Sequence, residues 1–152
     1  MGRRAENCRQ GITALAETDG IEVVCQSKLF LTEPVDYEKQ RWFVNVTVKI
    51  NTRLVPQALL SVLKEIERRA GREDQGIRFG PRVVDLDILF YEDLVLTSEK
   101  LVIPHPRMHK RRFVLQPLCD IDPDVRHPVY KKNIRQLYDM LEDTTQQVQV
   151  YE

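Results

Sequence analysis

The chain has 152 residues with 23 basic and 23 acidic side chains, long enough for one domain that buries about two-thirds of the surface its unfolded form would expose. Formal neutrality removes the usual arguments for nucleic acid or an anionic membrane surface, so a charged ligand has to be met by local clustering. Cys8, Cys25 and Cys119 are odd in number and widely spaced, which argues against a disulfide frame or a zinc site. The expectation is buried, reduced thiols in the cytoplasm. No apolar run approaches the ~20 residues that span a bilayer, and no apolar signal segment opens the chain.

In chain order, Ala5, Cys8, Ile12 and Leu15 recur at helical spacing, predicting an amphipathic helix that stops before Asp19-Gly20. Ile21 to Leu31 reads as a strand closed by Thr32-Glu33-Pro34, followed by a polar loop over 35–41. Trp42 to Asn51 reads as a second strand with Val44, Val46, Val48 and Ile50 toward the core and Phe43, Asn45 and Thr47 on the other face. An aromatic two residues from an amide suits a flat heterocycle. A merely solvated sheet face is the alternative for Asn45.

Pro56 suits the first turn of a helix reaching about Ala70, with Leu59, Leu63 and Ile66 buried and Gly71 as its stop. The stretch from Gly71 to Tyr91 then carries the strongest signal. Arg72, Arg78 and Arg82 sit among glycines, and Val83 to Tyr91 alternates as a strand, with Val84, Leu86, Ile88 and Phe90 on one face and Asp85 and Asp87 on the other. Carboxylates at i and i+2 lie about 6.5–7 Å apart along a strand. A pair of Mg²⁺ ions, which favour few carboxylates, several waters and substrate phosphates, would suit them. Arginines match phosphate bidentately. A solvated acidic face is the plain alternative.

Beyond it, Leu94 to Leu96 has some strand character. Leu101 to Ile103 is a short apolar strand closed by Pro104-His105-Pro106. His105, Lys110 and Arg111 could converge on one anion. Arg112 to Leu118 and Asn133 to Glu142 read as helices, and Gln147 to Tyr151 as an edge strand. His109 and His127 carry no comparable pattern and read as structural. No internal repeat or linker divides residues 1–152. Alternating strands and helices predict an α+β sandwich, a mostly antiparallel sheet with helices packed against it.

The run Arg78-Phe79-Gly80-Pro81-Arg82-Val83-Val84-Asp85-Leu86-Asp87-Ile88-Leu89-Phe90-Tyr91, then Ile103-Pro104-His105-Pro106, then Arg111-Arg112-Phe113-Val114-Leu115-Gln116-Pro117-Leu118, closely resembles the 6-hydroxymethyl-7,8-dihydropterin pyrophosphokinase family of folate biosynthesis. The likeness extends over nearly the whole chain. It implies a ferredoxin-like fold and transfer of pyrophosphate from ATP to the pterin hydroxymethyl group; ordering of the glycine-bordered arginine loop over the nucleotide adds the expectation that ATP binds before the pterin. It further implies two Mg²⁺ ions on Asp85 and Asp87, with catalysis by these and by Arg72 and Arg82. ATP contacts are implied for Glu67, Arg78, Arg82, Ile88, Lys100, His105 and Arg111. Pterin contacts are implied for Thr32, Pro34, Phe43, Asn45 and Phe113.

The family's opening strand and Gly-Ser-Asn turn have no counterpart here. The expectation is therefore either a chain starting at an internal methionine or a gap filled by another segment. A monomer is implied, with dimerisation or strand exchange as the alternative. Two other readings stay open: a catalytically impaired nucleotide- or pterin-binding or assembly protein of the same fold, and a different metal-dependent nucleotidyl- or phosphotransferase.

Overall fold

The computed structural model describes residues 2–33, 42–73, 84–142 and 147–151, with the backbone alone at 72 and 73. The helix α1 (Gly2–Ala16) forms where the apolar spacing places it and buries Ala5, Gly11 and Leu15. It is followed by Gly20 at φ 88°, a left-handed conformation open to a residue without Cβ. The Gly20 carbonyl accepts from Arg53 N–H and Thr52 Oγ1 at 3.2 and 2.8 Å, closing the turn onto the next hairpin arm.

Each of the two long predicted strands is broken once. Ile21–Leu31 becomes β1 (Ile21–Gln26) and β2 (Phe30–Thr32), and Trp42–Asn51 becomes β3 (Phe43–Asn45) and β4 (Val48–Thr52). β1 pairs antiparallel with β4, and β2 with β3. Register slips between Val23 and Cys25, and from the pair Gln26–Val48 to the pair Phe30–Asn45 four residues advance against three. Extra residues on one arm bend and twist that arm. At the second break Ser27, 3% exposed, accepts the Thr47 N–H on Oγ at 3.0 Å and donates its own N–H to the Thr47 carbonyl at 2.8 Å.

β7 (Val148–Val150) pairs with the other edge of β2, so the expected last strand forms. β5 (Leu96–Thr97) and β6 (Val102–Ile103) make a small third sheet. Pairing among the described strands is antiparallel and helices pack on them, an α+β fold as expected. The described strands form three short sheets where one mostly antiparallel sheet was predicted: the bulged arms divide the long hairpin between two of them, and β5–β6 is a separate pair.

The helix α2 (Pro56–Glu73) runs through Gly71, which does not stop it. One helical glycine costs only about 1 kcal/mol, and the stripe of Leu59, Leu63 and Ile66 is buried in the main core. The helix α3 (Arg112–Ile121) extends past the predicted Leu118. The helix α4 (Ile134–Asp139) is shorter than predicted at both ends, closing at Met140 and opening on Asn133 as its cap: the Asn133 side chain accepts Gln136 N–H while the Gln136 side chain accepts Asn133 N–H, at 2.8 and 2.9 Å. This reciprocal pair satisfies two otherwise orphaned donors.

The predicted strand over 84–90 belongs to no ladder among the described residues. Its alternation holds nonetheless: Leu86 and Ile88 enter the main core with Leu15, Ile21, Leu63 and Ile103, while Asp85 and Asp87 are exposed on the other side. A second core gathers Met108, Leu115, Leu118, Ile134 and Leu137 between α3 and α4, with Leu89 and Phe90 packed on it. Segment 84–90 therefore bridges both cores. The cysteines are free but only half-buried, not buried as expected. Among the described residues no helix is long and apolar enough to cross a membrane.

Candidate active site

Asp85 and Asp87 share the exposed side of 84–90 because Leu86 and Ile88 are drawn into the core. The segment's main-chain groups find partners other than a neighbouring strand. Leu86 N–H donates to Glu67 Oε2 at 2.6 Å, and Leu89 accepts from His105 N–H at 3.0 Å. The second bond carries the loop after β6 alongside the acidic segment. His105 lies within electrostatic reach of Asp87, Arg111 and Arg107.

His105 Nδ1 accepts the Arg107 N–H at 3.2 Å, so the neutral ring carries its proton on Nε2. Burial pushes the imidazole below its ordinary range, Asp87 opposes that shift, and Arg111 and Arg107 add to it. Near neutral pH the ring is then an uncharged Nε2–H donor beside a carboxylate and two guanidinium groups. Such an arrangement offers donors to a polyphosphate without a further fixed charge.

From His105 a 3-10 turn (Met108–Lys110) leads to Arg111 and α3. Arg111 stands 5.5 Å from the Phe113 ring centroid. Phe113 meets Phe43 edge to face at 5.8 Å and 80°, a favourable arrangement of ring quadrupoles. Phe43 is the cross-strand partner of Thr32, and two residues along the same face Asn45 Nδ2 donates to Thr32 Oγ1 at 2.7 Å. Thr32 is fully buried. The predicted heterocycle-binding residues Thr32, Phe43, Asn45 and Phe113 are thus one cluster, joined through Arg111 to the anionic side.

Other predicted residues stand apart or have a different first partner. Glu67, with its side chain 10% exposed, is held by Leu86 N–H and by Lys64 at 3.4 Å. The Ile88 side chain is in the core at 9% exposure, turned from the exposed side that carries Asp85 and Asp87. Lys100 is exposed in the turn between β5 and β6. Pro34, Arg78 and Arg82 lie outside the described residues, as does the side chain of Arg72.

Among the described residues no group of three or more His, Cys, Asp or Glu side chains could hold a metal ion. Two exposed carboxylates on one side of a chain segment still fit Mg²⁺, which completes its shell with waters and substrate phosphates and does not require an all-protein cage.

Reading the sequence for site residues passed over two features. One is the Ser27–Thr47 pairing that bends the hairpin and separates the Phe43–Asn45 end from β4. The other is a ring cluster of Phe90, His109, His127 and Tyr130. His-Pro at 127 and an aromatic three residues on were the available signals.

A family model described as 7,8-dihydro-6-hydroxymethylpterin-pyrophosphokinase matches residues 1–123. The 2-amino-4-hydroxy-6-hydroxymethyldihydropteridine pyrophosphokinase of Aquifex aeolicus is 36% identical over 136 residues, which is 90% of this chain and 83% of that protein. The protein of the same name from Bacillus subtilis is 40% identical, over 80% of this chain and 72% of that one. A folate synthesis bifunctional protein of Arabidopsis thaliana is 45% identical over 80% of this chain but only 25% of its own length. The chain likewise spans 19% of the fission-yeast folic acid synthesis protein fol1.

Among solved structures, Plasmodium falciparum HPPK-DHPS aligns at a TM-score of 0.64 with 19% identity, covering 89% of this chain and 40% of that one. That likeness speaks to the fold. The family model over residues 1–123 and the two relatives matched over most of their length lead to one conclusion: the chain belongs to the 7,8-dihydro-6-hydroxymethylpterin-pyrophosphokinase family.

Proposed function

We propose that the chain transfers a pyrophosphoryl group from ATP to the hydroxymethyl oxygen of 6-hydroxymethyl-7,8-dihydropterin, giving the pterin diphosphate and AMP in folate biosynthesis. The observation that carries this is that the His105 N–H bond to the Leu89 carbonyl sets the acidic segment beside the segment that leads to Arg111, which stands over Phe113 and so reaches Phe43. An anion-binding side and a flat-ring side share one residue, as transfer between a polyphosphate and a bicyclic alcohol requires.

In the reaction the hydroxymethyl oxygen bonds to the β-phosphorus, the bond from that phosphorus to the α–β bridging oxygen breaks, and AMP departs as the hydroxyl proton is lost. Asp85 and Asp87 would hold Mg²⁺. The chemistry Mg²⁺ would supply there is neutralisation of the triphosphate and a lowered pKa of the hydroxyl, whose proton would pass to water. His105 donates from Nε2 to a phosphate oxygen, and Arg111 stabilises charge moving toward AMP. Arg72, Arg82 and Arg78 are assigned to the same charge, and Lys100, Glu67 and the Ile88 main chain to the nucleotide, by the family resemblance. Thr32 and Asn45 orient the pterin edge, Phe43 and Phe113 hold its face, and Pro34 borders it.

A monomer acting on these two small molecules is the reading adopted, in the cytoplasm, where the free thiols of Cys8, Cys25 and Cys119 would stay reduced. A second reading, binding with impaired turnover, draws support from the acidic segment lying outside any ladder among the described residues. An AMP-release assay with ATP, Mg²⁺ and the hydroxymethylpterin, run beside titration calorimetry, separates the two. AMP formed only when the pterin is present supports transfer; binding of both ligands without AMP supports the second reading; binding of neither overturns both.

A further inference from the structure

The turn over 127–130 touches both segments to which the nucleotide site is assigned. His127, 2% exposed, anchors it: Nδ1 accepts the N–H groups of Val129 and Tyr130, each at 3.2 Å. Its own N–H donates to the Lys132 carbonyl at 2.8 Å, and its carbonyl accepts from Lys131 N–H at 2.9 Å. On one side the His127 ring meets Phe90 edge to face at 5.7 Å, and Phe90 lies three residues beyond Asp87. On the other side Tyr130 covers His109 at 4.4 Å between centroids, and its hydroxyl lies 3.2 Å from His109 Nε2.

His109 sits in the 3-10 turn between His105 and Arg111. Its other nitrogen, Nδ1, is buried without a hydrogen-bond partner among the described residues. The Tyr130 hydroxyl is therefore the polar restraint on that ring. Met108, completely buried, pins the backbone of the same turn in the second core.

We propose that Phe90, His109, His127 and Tyr130 form a positioning clasp that fixes the spacing between the Asp85–Asp87 segment and the His105–Arg111 segment, and thereby sets nucleotide affinity. The inference rests on the assignment of Asp87, His105 and Arg111 to the nucleotide. None of the clasp residues is assigned to touch substrate, so their contribution acts through the backbone on either side.

The test uses the full chain with Mg²⁺ and α,β-methylene-ATP, whose α–β bridge cannot be cleaved, in titration calorimetry with melting temperatures recorded in parallel. Tyr130 is 45% exposed, so Tyr130→Phe removes the hydroxyl while leaving the ring and the fold. Tyr130→Phe and His109→Ala should each weaken nucleotide binding about three- to tenfold, the range one hydrogen bond supplies. Their combination should be no weaker than the poorer single variant, because both remove one shared contact. His109→Gln, whose amide reaches the Nε2 position, should bind like wild type.

Wild-type affinity in both Tyr130→Phe and His109→Ala overturns the clasp and leaves the functional reading standing. Weakening that tracks a fall in melting temperature also overturns the clasp, since the cluster would then only support the fold. Failure of the wild-type chain itself to bind the Mg²⁺-nucleotide overturns both.

Discussion

Glu67 on α2 accepts the main-chain N–H of Leu86 at 2.6 Å, between the two aspartates of the acidic segment. A helix carboxylate thus does locally what a neighbouring strand does in a ladder. It satisfies a part-buried backbone donor and holds Leu86 toward the core, and that keeps Asp85 and Asp87 outward. The charge on the acceptor makes this bond stronger than a neutral one.

Replacing Glu67 tests that role directly. Glu67→Ala leaves the Leu86 N–H unpaired and should destabilise the fold by about 1–3 kcal/mol. Glu67→Gln retains an acceptor oxygen and should lose less. Urea denaturation of both variants checks this; equal stability of Glu67→Ala and wild type would show that the bond is dispensable.

The acidic pair should matter to turnover and little to stability, because both side chains are exposed. Asp85→Ala and Asp87→Ala are each expected to slow AMP release by at least about a hundredfold, the effect of losing several kcal/mol of metal-assisted stabilisation. Melting temperatures should stay near the wild-type value. An Asp87→Ala enzyme with wild-type rates would refute the metal assignment.

On the ring side, Phe113→Ala should raise the pterin KM more than the ATP KM, since it removes the face that Phe43 and Arg111 share. A double-mutant cycle with Phe43→Ala should return a coupling of about 0.5–1.5 kcal/mol in stability. Thr32→Val, which keeps the shape and loses the 2.7 Å bond from Asn45, should likewise weaken the pterin selectively. Steady-state kinetics with each substrate varied in turn decides the point.

Acidification has a definite sign. His105, His109 and His127 all lie below the ordinary histidine value, with burial the leading cause in each. The unfolded chain therefore takes up protons first. The stability these rings contribute is fully present above the unfolded value of about 6.5 and is lost as pH falls below it toward the folded values. Denaturation midpoints should be lower near pH 5.5 than near pH 7.5; a midpoint flat across that window would mean the rings are not buried in solution.

Much of the candidate site was legible from side-chain type and order. The period-two pattern over 84–90 placed both aspartates on one side, and that survives in the structure even without a ladder, because apolar residues seek the core whether or not strands pair. Alternation likewise put Phe43 and Asn45 on one face, whereas Thr32, read as the close of its strand and implied at the site only by the resemblance, is placed beside them by the β2–β3 pairing. Bulges were not legible. They depend on where Ser27 and Thr47 meet across the hairpin, a distance of 20 residues along the chain. The ring cluster was hidden too, because His109 and Tyr130 lie 21 residues apart along the chain and meet only through tertiary packing.

The amino-acid order alone determined the outward aspartates and the helix faces, which follow from local periodicity and chemical type, and it carried the resemblance to the family in the motifs at 78–91, 103–106 and 111–118. Tertiary packing decided that Glu67 serves the backbone of Leu86, that Arg111 joins the two halves of the site, and that His127 and Tyr130 reach the turn between His105 and Arg111. Glu67–Leu86, His109–Tyr130 and the Phe43–Phe113 pair through which Arg111 reaches the ring side are contacts between distant parts of the chain, and their geometry is set by how the cores pack.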